Sequence, residues 1–143
     1  MPIRKELRGF YPIDWRELSA VVRFERAGGK CEACGRPHGK MINHLGDGRW
    51  FDAAAEAWRD GQGRAIDWVD YRDYSGAIRQ TRVVLAAAHL NHDPTDNRIC
   101  NLKALCQRCH LLHDREEHRR RRRLTWRRRN ALGDLFEGRY PRW

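Results

Sequence analysis

The chain has 143 residues, of which 41% are hydrophobic, and its lysines and arginines exceed its acidic residues to give a formal net charge of +10. This length suits one domain with a modest core, and the basic balance favours a polyanion, nucleic acid first, as the partner. The longest apolar run is only Val83–Ala88, and the N-terminus has no apolar leader. We therefore predict a cytoplasmic protein without a membrane span or secretion signal.

The first predicted element is a helix from Asp14 to Arg26. Asp14 is its expected N-cap, and Glu17 is spaced to complete a capping box. Gly28 and Gly29 are expected to end the helix, because glycine readily adopts the left-handed geometry of a helix C-terminus. The apolar face interpreted as core consists of Trp15, Leu18, Val21 and Val22.

Two CxxC pairs, Cys31/Cys34 and Cys106/Cys109, contain four of the five cysteines. Four buried apolar thiols are the plainer alternative, but a paired CxxC spacing is typical of a tetrahedral zinc site. The pairs are 71 residues apart, so a structural Zn²⁺ would join the N-terminal segment to the final predicted helix across an insert. Cys100 stands outside both pairs.

The insert spans residues 36–80. Its Ala-rich part, Asp52 to Asp60, is predicted as a short helix that Gly61 ends. The roughly alternating run from Ile66 to Tyr71 is predicted as a strand that turns at Tyr74-Ser75-Gly76 and forms a hairpin with Ala77–Leu90. The side chains interpreted as ordinary core or surface residues are His38, His44, Trp50 and Trp68.

The most informative stretch runs from Arg82 to Asp114. Val83–Ala88 is predicted as a buried strand that ends at His89, and a polar loop follows from Asn91 to Arg98. Next come the short Ile99-Cys100 segment and the Asn101-Leu102 step. A helix is predicted from Lys103 onward, and it would carry Cys106, Cys109, His110, His113 and Asp114.

The order His89, then Asn101-Leu102, then Leu105-Cys106-x-x-Cys109-His110 resembles the signature of the HNH endonucleases. The resemblance covers about 80 residues (31–114). It implies an α+β fold with a ββα-metal core at about 78–118, a zinc staple, an N-terminal helix and an Arg-rich C-terminal helical extension. We expect a single domain over 1–143.

The resemblance also implies roles for individual residues. His89 would be the general base that activates water, and Asn101 would fix the loop and orient that base, or bind the metal. His110 would bind a catalytic Mg²⁺ or Mn²⁺. Asp114, four residues later on the same helix face, would be a second ligand, with His113 as its competitor. The implied activity is hydrolysis of DNA, double-stranded first, to 5′-phosphate and 3′-hydroxyl ends.

One position departs from the family pattern. Many relatives have an aspartate or histidine ligand just before the base, where this chain has Ala88. His92 or Asp93 is an alternative ligand, or the ion is held mainly by His110 and Asp114. Two other functions stay open: a zinc-stabilised DNA-binding module without turnover, and a nuclease for structured RNA.

The tail from Arg115 to Trp143 contains eleven arginines against four acidic residues. A charged run is commonly a solvated face, but this one directly continues the predicted metal-binding helix, so we expect it to contact DNA. Apolar residues near the end, such as Phe136 and Trp143, would fold back on the body. The expected DNA contacts are Arg115, Arg119, Arg120, Arg122, Arg123 and Arg127.

Overall fold

The computed structural model describes residues 5–67, 69 and 78–131. The chain combines helices and strands, as the predicted α+β class requires. Its internal contacts divide it into two units, Met1–His110 and Leu111–Trp143. The division falls close to residue 115, where the predicted basic extension begins.

The N-terminal helix lies close to its predicted place. After a 3-10 segment at Lys5–Phe10, α1 covers Trp15–Ala20 and continues as a π-helical turn at Val21–Arg26. The predicted capping box is wrong, because the Asp14 side chain makes no capping hydrogen bond. The backbone carbonyl of Pro12 instead accepts from Trp15 N–H at 3.0 Å. Gly28 and Gly29, both at positive φ, follow the helix as predicted.

The insert forms a five-stranded antiparallel sheet in the order β4-β3-β2-β1-β5. β1 and β5 pair over four residues, with Met41 opposite Arg82 and His44 opposite Arg79. The strands are β1 Met41–His44, β2 Trp50–Asp52, β3 Ala57–Arg59, β4 Ala65–Ile66 and β5 Arg79–Arg82.

The helix predicted from Asp52 to Asp60 is wrong. Its alanines form the turn between β2 and β3, and Glu56 has a positive φ of 49°. Contacts across the two strands outweigh the helix propensity of alanine, because Phe51 packs against Trp58 and the Arg59 guanidinium pairs with Asp52 at 2.7 Å.

The predicted hairpin after Ile66 is also wrong in its pairing. β4 pairs with β3, whereas β5 pairs with β1 at the far edge of the sheet. Trp68 and the predicted turn at Tyr74-Ser75-Gly76 lie outside the described residues.

A second sheet contains two antiparallel strands, β6 (Leu85–His89) and β7 (Leu102–Cys106), and α2 (Gln107–His113) follows directly. The strand that ends at His89 is confirmed, although it begins at Leu85. The helix predicted from Lys103 is wrong, because the chain stays extended to Cys106. Ala104, Leu105 and Cys106 are consecutive buried residues, which suits a strand covered on both faces better than a helix with one buried stripe.

Two buried clusters hold the first unit together. The larger contains the four cysteines of the CxxC pairs, Trp50 and residues of β6 and β7. The smaller joins Val22 of the N-terminal helix to Leu102 and Ala104 of β7, with Trp15 and Leu18 packed against it. The predicted apolar face of the helix is thus the surface that covers the two-stranded sheet.

The second unit contains α3, which spans Arg115–Asn130 and has no buried residue. None of the described helices is long and apolar enough to cross a membrane.

Candidate functional sites

The four cysteines of the CxxC pairs form one buried cluster, as predicted. Their sulfur atoms all lie within 4.8 Å of one another, and Cys34 Sγ is 3.7 Å from Cys106 Sγ. A tetrahedral zinc ion with bonds of about 2.3 Å would separate its sulfur ligands by about 3.8 Å. All four are free thiols, so the cluster can hold a structural metal such as zinc. Cys100 is exposed and lies outside it.

Backbone groups shape the first CxxC pair around this centre. Gly35, at a φ of +75°, donates its N–H to the Cys31 carbonyl at 2.8 Å and closes the turn. Cys106 N–H donates to Cys31 Sγ at 3.3 Å, a contact that favours a thiolate. Hydrogen bonding from Cys109 likewise lowers the pKa of Cys106 to about 6. Metal binding requires such deprotonated thiols.

Glu32, inside the first CxxC, connects this pair to the strand that leads to the second pair. Its N–H donates to the Ala104 carbonyl at 2.9 Å, and its carboxylate accepts from Ala104 N–H and from Arg26. Arg26 also donates to the carbonyls of Leu102, at 2.8 Å, and Ile99, at 3.0 Å. These bonds bring the two CxxC pairs together across the insert.

The inserted sheet region contacts the segments that contain the CxxC pairs through glycines, which sequence reasoning missed. A Cβ at Gly63 would lie 2.7 Å from the Cys34 carbonyl oxygen. A Cβ at Gly48 would lie 2.3 Å from the guanidinium of Arg108, which donates to the Gly61 carbonyl at 3.2 Å. Arg108 lies between Cys106 and Cys109, so both CxxC pairs touch the sheet. The close spacing of Gly48, Gly61 and Gly63 in the sequence could have indicated that the backbone there approaches another segment closely.

His89 lies at the end of β6 in an aromatic setting. Its ring stacks on Trp15 with centroids 5.3 Å apart and planes 9° apart, and Tyr11 meets its edge at 5.7 Å. Its Nε2 is 3.0 Å from Asn97 Oδ1. The ring is partly exposed, so solvent can reach it.

Asn101 makes hydrogen bonds that hold the loop after β6. Its amide donates to Asn91 Oδ1 at 2.9 Å and to the Asp96 carbonyl at 2.8 Å, and its backbone carbonyl accepts from Leu90 N–H at 2.8 Å. The predicted contact with the base belongs to a different residue, because the side chain that bonds to His89 is Asn97. Sequence reasoning missed Asn97.

The predicted ligands of a catalytic ion occupy several elements. His92, at a φ of 60°, lies on the loop after β6, and its N–H donates to the His89 carbonyl at 3.3 Å. His110 is partly exposed on α2. Asp114 follows α2, and its carboxylate bonds to His113 Nδ1 at 3.0 Å. Ala88 is 1% exposed within the larger core cluster, so this position has no ligand to offer.

The predicted DNA-contacting arginines all lie on exposed α3, but their surroundings differ. Arg119 pairs with Glu116, and Arg120 pairs with Glu117, at 2.7 and 2.9 Å. Among the described residues, no carboxylate pairs with the other four, which are Arg115, Arg122, Arg123 and Arg127. Residues at helical spacing line a shallow groove on one face of α3; they are Leu111, Arg115, His118, Arg119 and Arg122.

Comparisons with models of known protein families, with curated proteins and with solved structures find no match.

Proposed function

We propose that the chain is a metal-dependent HNH endonuclease that hydrolyses phosphodiester bonds of DNA. The observation that carries the proposal is the position of His89. It ends the first strand of a hairpin that leads directly into a helix, and its partly exposed ring is held by Trp15 and Asn97. A histidine held in one orientation at a solvent-accessible strand end suits a general base.

In this proposal His89 accepts a proton from water as the water oxygen attacks phosphorus. The bond from phosphorus to the 3′-oxygen breaks, and the departing oxygen takes a proton from solvent water, which leaves a 5′-phosphate and a 3′-hydroxyl. Asn101 holds the loop that carries Asn97, so the position of the base depends on both asparagines.

A divalent cation, Mg²⁺ or Mn²⁺, would neutralise charge that develops on the phosphate. His110 and Asp114 are its proposed ligands, and His92 and His113 are the alternatives. Of these donors, the carboxylate of Asp114 is the type that suits Mg²⁺ and Mn²⁺. The bond between Asp114 and His113 is of the kind that orients a metal-binding carboxylate.

The structural zinc at the four cysteines has a different task. With all four cysteines as ligands, a zinc ion would be left without an open position, so it would contribute stability and not chemistry. The arginines of α3 supply the positive charge for a polyanionic substrate, with a sequence-independent contribution to affinity.

A second candidate is a zinc-stabilised DNA-binding module without turnover. Ala88 favours it, because its buried methyl group stands where many relatives have a metal ligand. A nuclease that acts on structured RNA is a third candidate, since α3 would attract any nucleic acid.

Purified zinc-loaded protein incubated with supercoiled plasmid, with Mg²⁺, Mn²⁺ or EDTA, tests the proposal. We expect metal-dependent cleavage that His89→Ala reduces by about 10²–10⁴-fold, the usual contribution of a positioned base. His44→Ala is the matched control, because the His44 ring bonds to Thr81 and Gly46 in the inserted sheet region and not to His89 or its partners among the described residues. Absence of cleavage with retained DNA binding would favour the binding module, and cleavage undiminished in His89→Ala would refute the mechanism. Parallel assays with structured RNA distinguish the third candidate.

A further inference from the structure

We propose that Asn97 is a positioning residue that fixes the tautomer of His89, with the proton on Nε2 and the lone pair on Nδ1. The inference rests on the proposed function only in assigning Nδ1 as the atom that accepts the proton from water. The tautomer itself follows from hydrogen bonds around Asn97.

The orientation of the Asn97 amide is determined by its neighbours. Nδ2 lies 3.2 Å from the Phe10 carbonyl oxygen and 3.1 Å from that of Pro94, with the Thr95 carbonyl at 3.4 Å. The reverse orientation would direct the amide oxygen at these carbonyl oxygens, where no hydrogen bond can form. Nδ2 is therefore the donor to the backbone, and Oδ1 is the atom that faces His89.

This orientation determines which nitrogen of His89 is protonated. Asn97 Oδ1 can only accept, so the 3.0 Å contact requires a proton on His89 Nε2. A neutral imidazole carries one N–H, and its other nitrogen then has a lone pair. Nδ1 forms no hydrogen bond within the described residues, which leaves its lone pair for water.

The same N-terminal segment also sets the rotation of the ring. Trp15 lies nearly parallel to the imidazole and Tyr11 meets it at 68°, so two aromatic rings limit rotation about the Cβ–Cγ bond. Phe10 contributes the carbonyl that holds Asn97. Residues 10–15 thus position both the ring and its hydrogen-bond partner, which gives the aromatic N-terminus a part in the proposed active site.

Long-range ¹H–¹⁵N correlation of the histidine rings in the full-length zinc-loaded protein tests the inference without any activity. At a pH where the ring is neutral, His89 should be protonated at Nε2. Asn97→Ala should remove this preference, whereas Asn97→Asp, which retains an acceptor, should keep it. Wild-type protein with the proton on Nδ1, or an unchanged tautomer in Asn97→Ala, would overturn the proposal.

Asn91→Ala is the matched control for loosening of the loop. It removes bonds to Asn101 and Asp96 without touching the His89–Asn97 pair, so the tautomer should remain. If Asn91→Ala weakened the preference for a proton on His89 Nε2 as much as Asn97→Ala did, general order of the loop, and not Asn97, would select the tautomer. The wild-type measurement stays decisive even if a variant fails to fold.

Cleavage kinetics then separate this inference from the proposed function. Asn97→Ala should lower kcat by about 10–100-fold with little change in KM, as orienting partners of functional histidines commonly do. An Nε2-protonated His89 in a protein that cuts nothing would refute the proposed function and leave the positioning role intact. Unchanged kcat in an Asn97→Ala protein that has lost the tautomer would refute the role of Nδ1.

Discussion

The two units of the chain obtain their order from different sources. The first has two buried clusters, with Trp50 and Val22 essentially inaccessible to solvent, and a buried group of four cysteines. In the second, α3 has no buried residue and is stabilised by local ion pairs of Glu116 and Glu117 with arginines three or four positions later. Buried side chains and a candidate metal site stabilise the first unit. Ion pairs between residues three or four positions apart stabilise the helix of the second. The units should therefore respond to different perturbations.

Removal of zinc should produce the largest effect, and it should fall on the first unit. We expect one Zn²⁺ per chain that survives dialysis, because four cysteine ligands that already lie within 4.8 Å of one another would leave no open position on the ion. Cys106→Ser should lose the ion and destabilise the unit severely, since structural zinc contributes on the order of 10 kcal/mol in small metal-folded domains. Metal analysis and thermal unfolding measure both outcomes.

Cys100→Ser is the matched control for this prediction. Its thiol is exposed and stands outside the cluster, so the zinc content and unfolding temperature should stay at wild-type values. Zinc-free protein, or equal damage from the control, would contradict a four-cysteine centre.

The catalytic proposal sharpens the comparison, because it places the general base His89 in the first unit and the arginines that bind phosphate in the second. His89→Ala should retain zinc and DNA binding while cleavage falls by about 10²–10⁴-fold. His110→Ala should weaken the hold on the catalytic ion, so excess Mn²⁺ should partly restore its activity. Cleavage titrated against Mn²⁺ distinguishes the two.

The opposite pattern would reject these roles. Rescue of His89→Ala by metal would assign His89 as a ligand, and a His110→Ala protein with wild-type metal dependence would remove His110 from the site. Asp114→Ala should behave like His110→Ala if Asp114 is the second ligand, and His92→Ala should do so if His92 replaces it.

The contact between the inserted sheet region and the four-cysteine cluster gives a smaller, purely structural effect. Gly63 has a φ of +87°, and a Cβ there would collide with the Cys34 carbonyl oxygen. Gly63→Ala should therefore lower the free energy of unfolding by about 1–3 kcal/mol from backbone strain, with a further loss from the collision. Urea unfolding of the zinc-loaded protein measures it.

Gly39→Ala separates these two contributions. Gly39 also has a positive φ, +74°, but a Cβ there would have no atom within 4 Å. Gly39→Ala should therefore lower the free energy of unfolding only by the contribution of backbone strain. Equal destabilisation by the two substitutions would mean that the approach of Gly63 to Cys34 adds nothing.

The features that the sequence predicted well depend on local spacing. The CxxC pairs restrict where their ligands can point, and the apolar run that ends at His89 is short enough to favour a strand. Gly28 and Gly29 end the first helix for a reason confined to their own backbone. Each of these signals needs only a few neighbouring residues.

The errors arose where partners distant in sequence decide the structure. The alanines after Asp52 favour a helix, but Phe51 and Trp58 meet across a hairpin and override them. Leu102–Cys106 is a mostly apolar segment, with Lys103, that suits either element by its pattern, and pairing with β6 makes it a strand. Asn97 and Arg108 were missed because their importance lies in contacts with His89 and with the glycines of the insert, which no local pattern reveals.

The smallest effect should come from α3 and should depend on salt. Arg122, Arg123 and Arg127 have no carboxylate partner among the described residues, so each can neutralise a phosphate without first breaking an ion pair. Changing all three to glutamine should flatten the slope of log affinity against log salt by about 0.9 for each phosphate that is no longer neutralised, with zinc content unchanged. Binding to a non-specific duplex in EDTA, at several salt concentrations, measures this.

Changing Arg119, Arg120 and Arg121 to glutamine is the charge-matched control. Their guanidinium groups pair with Glu116 and Glu117, so part of their charge is already compensated and their removal exposes two carboxylates. If pairing governs which arginines meet phosphate, this variant should alter the salt slope less than the first, although both lose three charges. Equal slopes would show that only total charge matters, and an unchanged slope in both would make α3 a solvated face. In that last case the phosphate contacts would have to come from residues other than these six arginines, and the proposed role of this part of α3 in binding would fail.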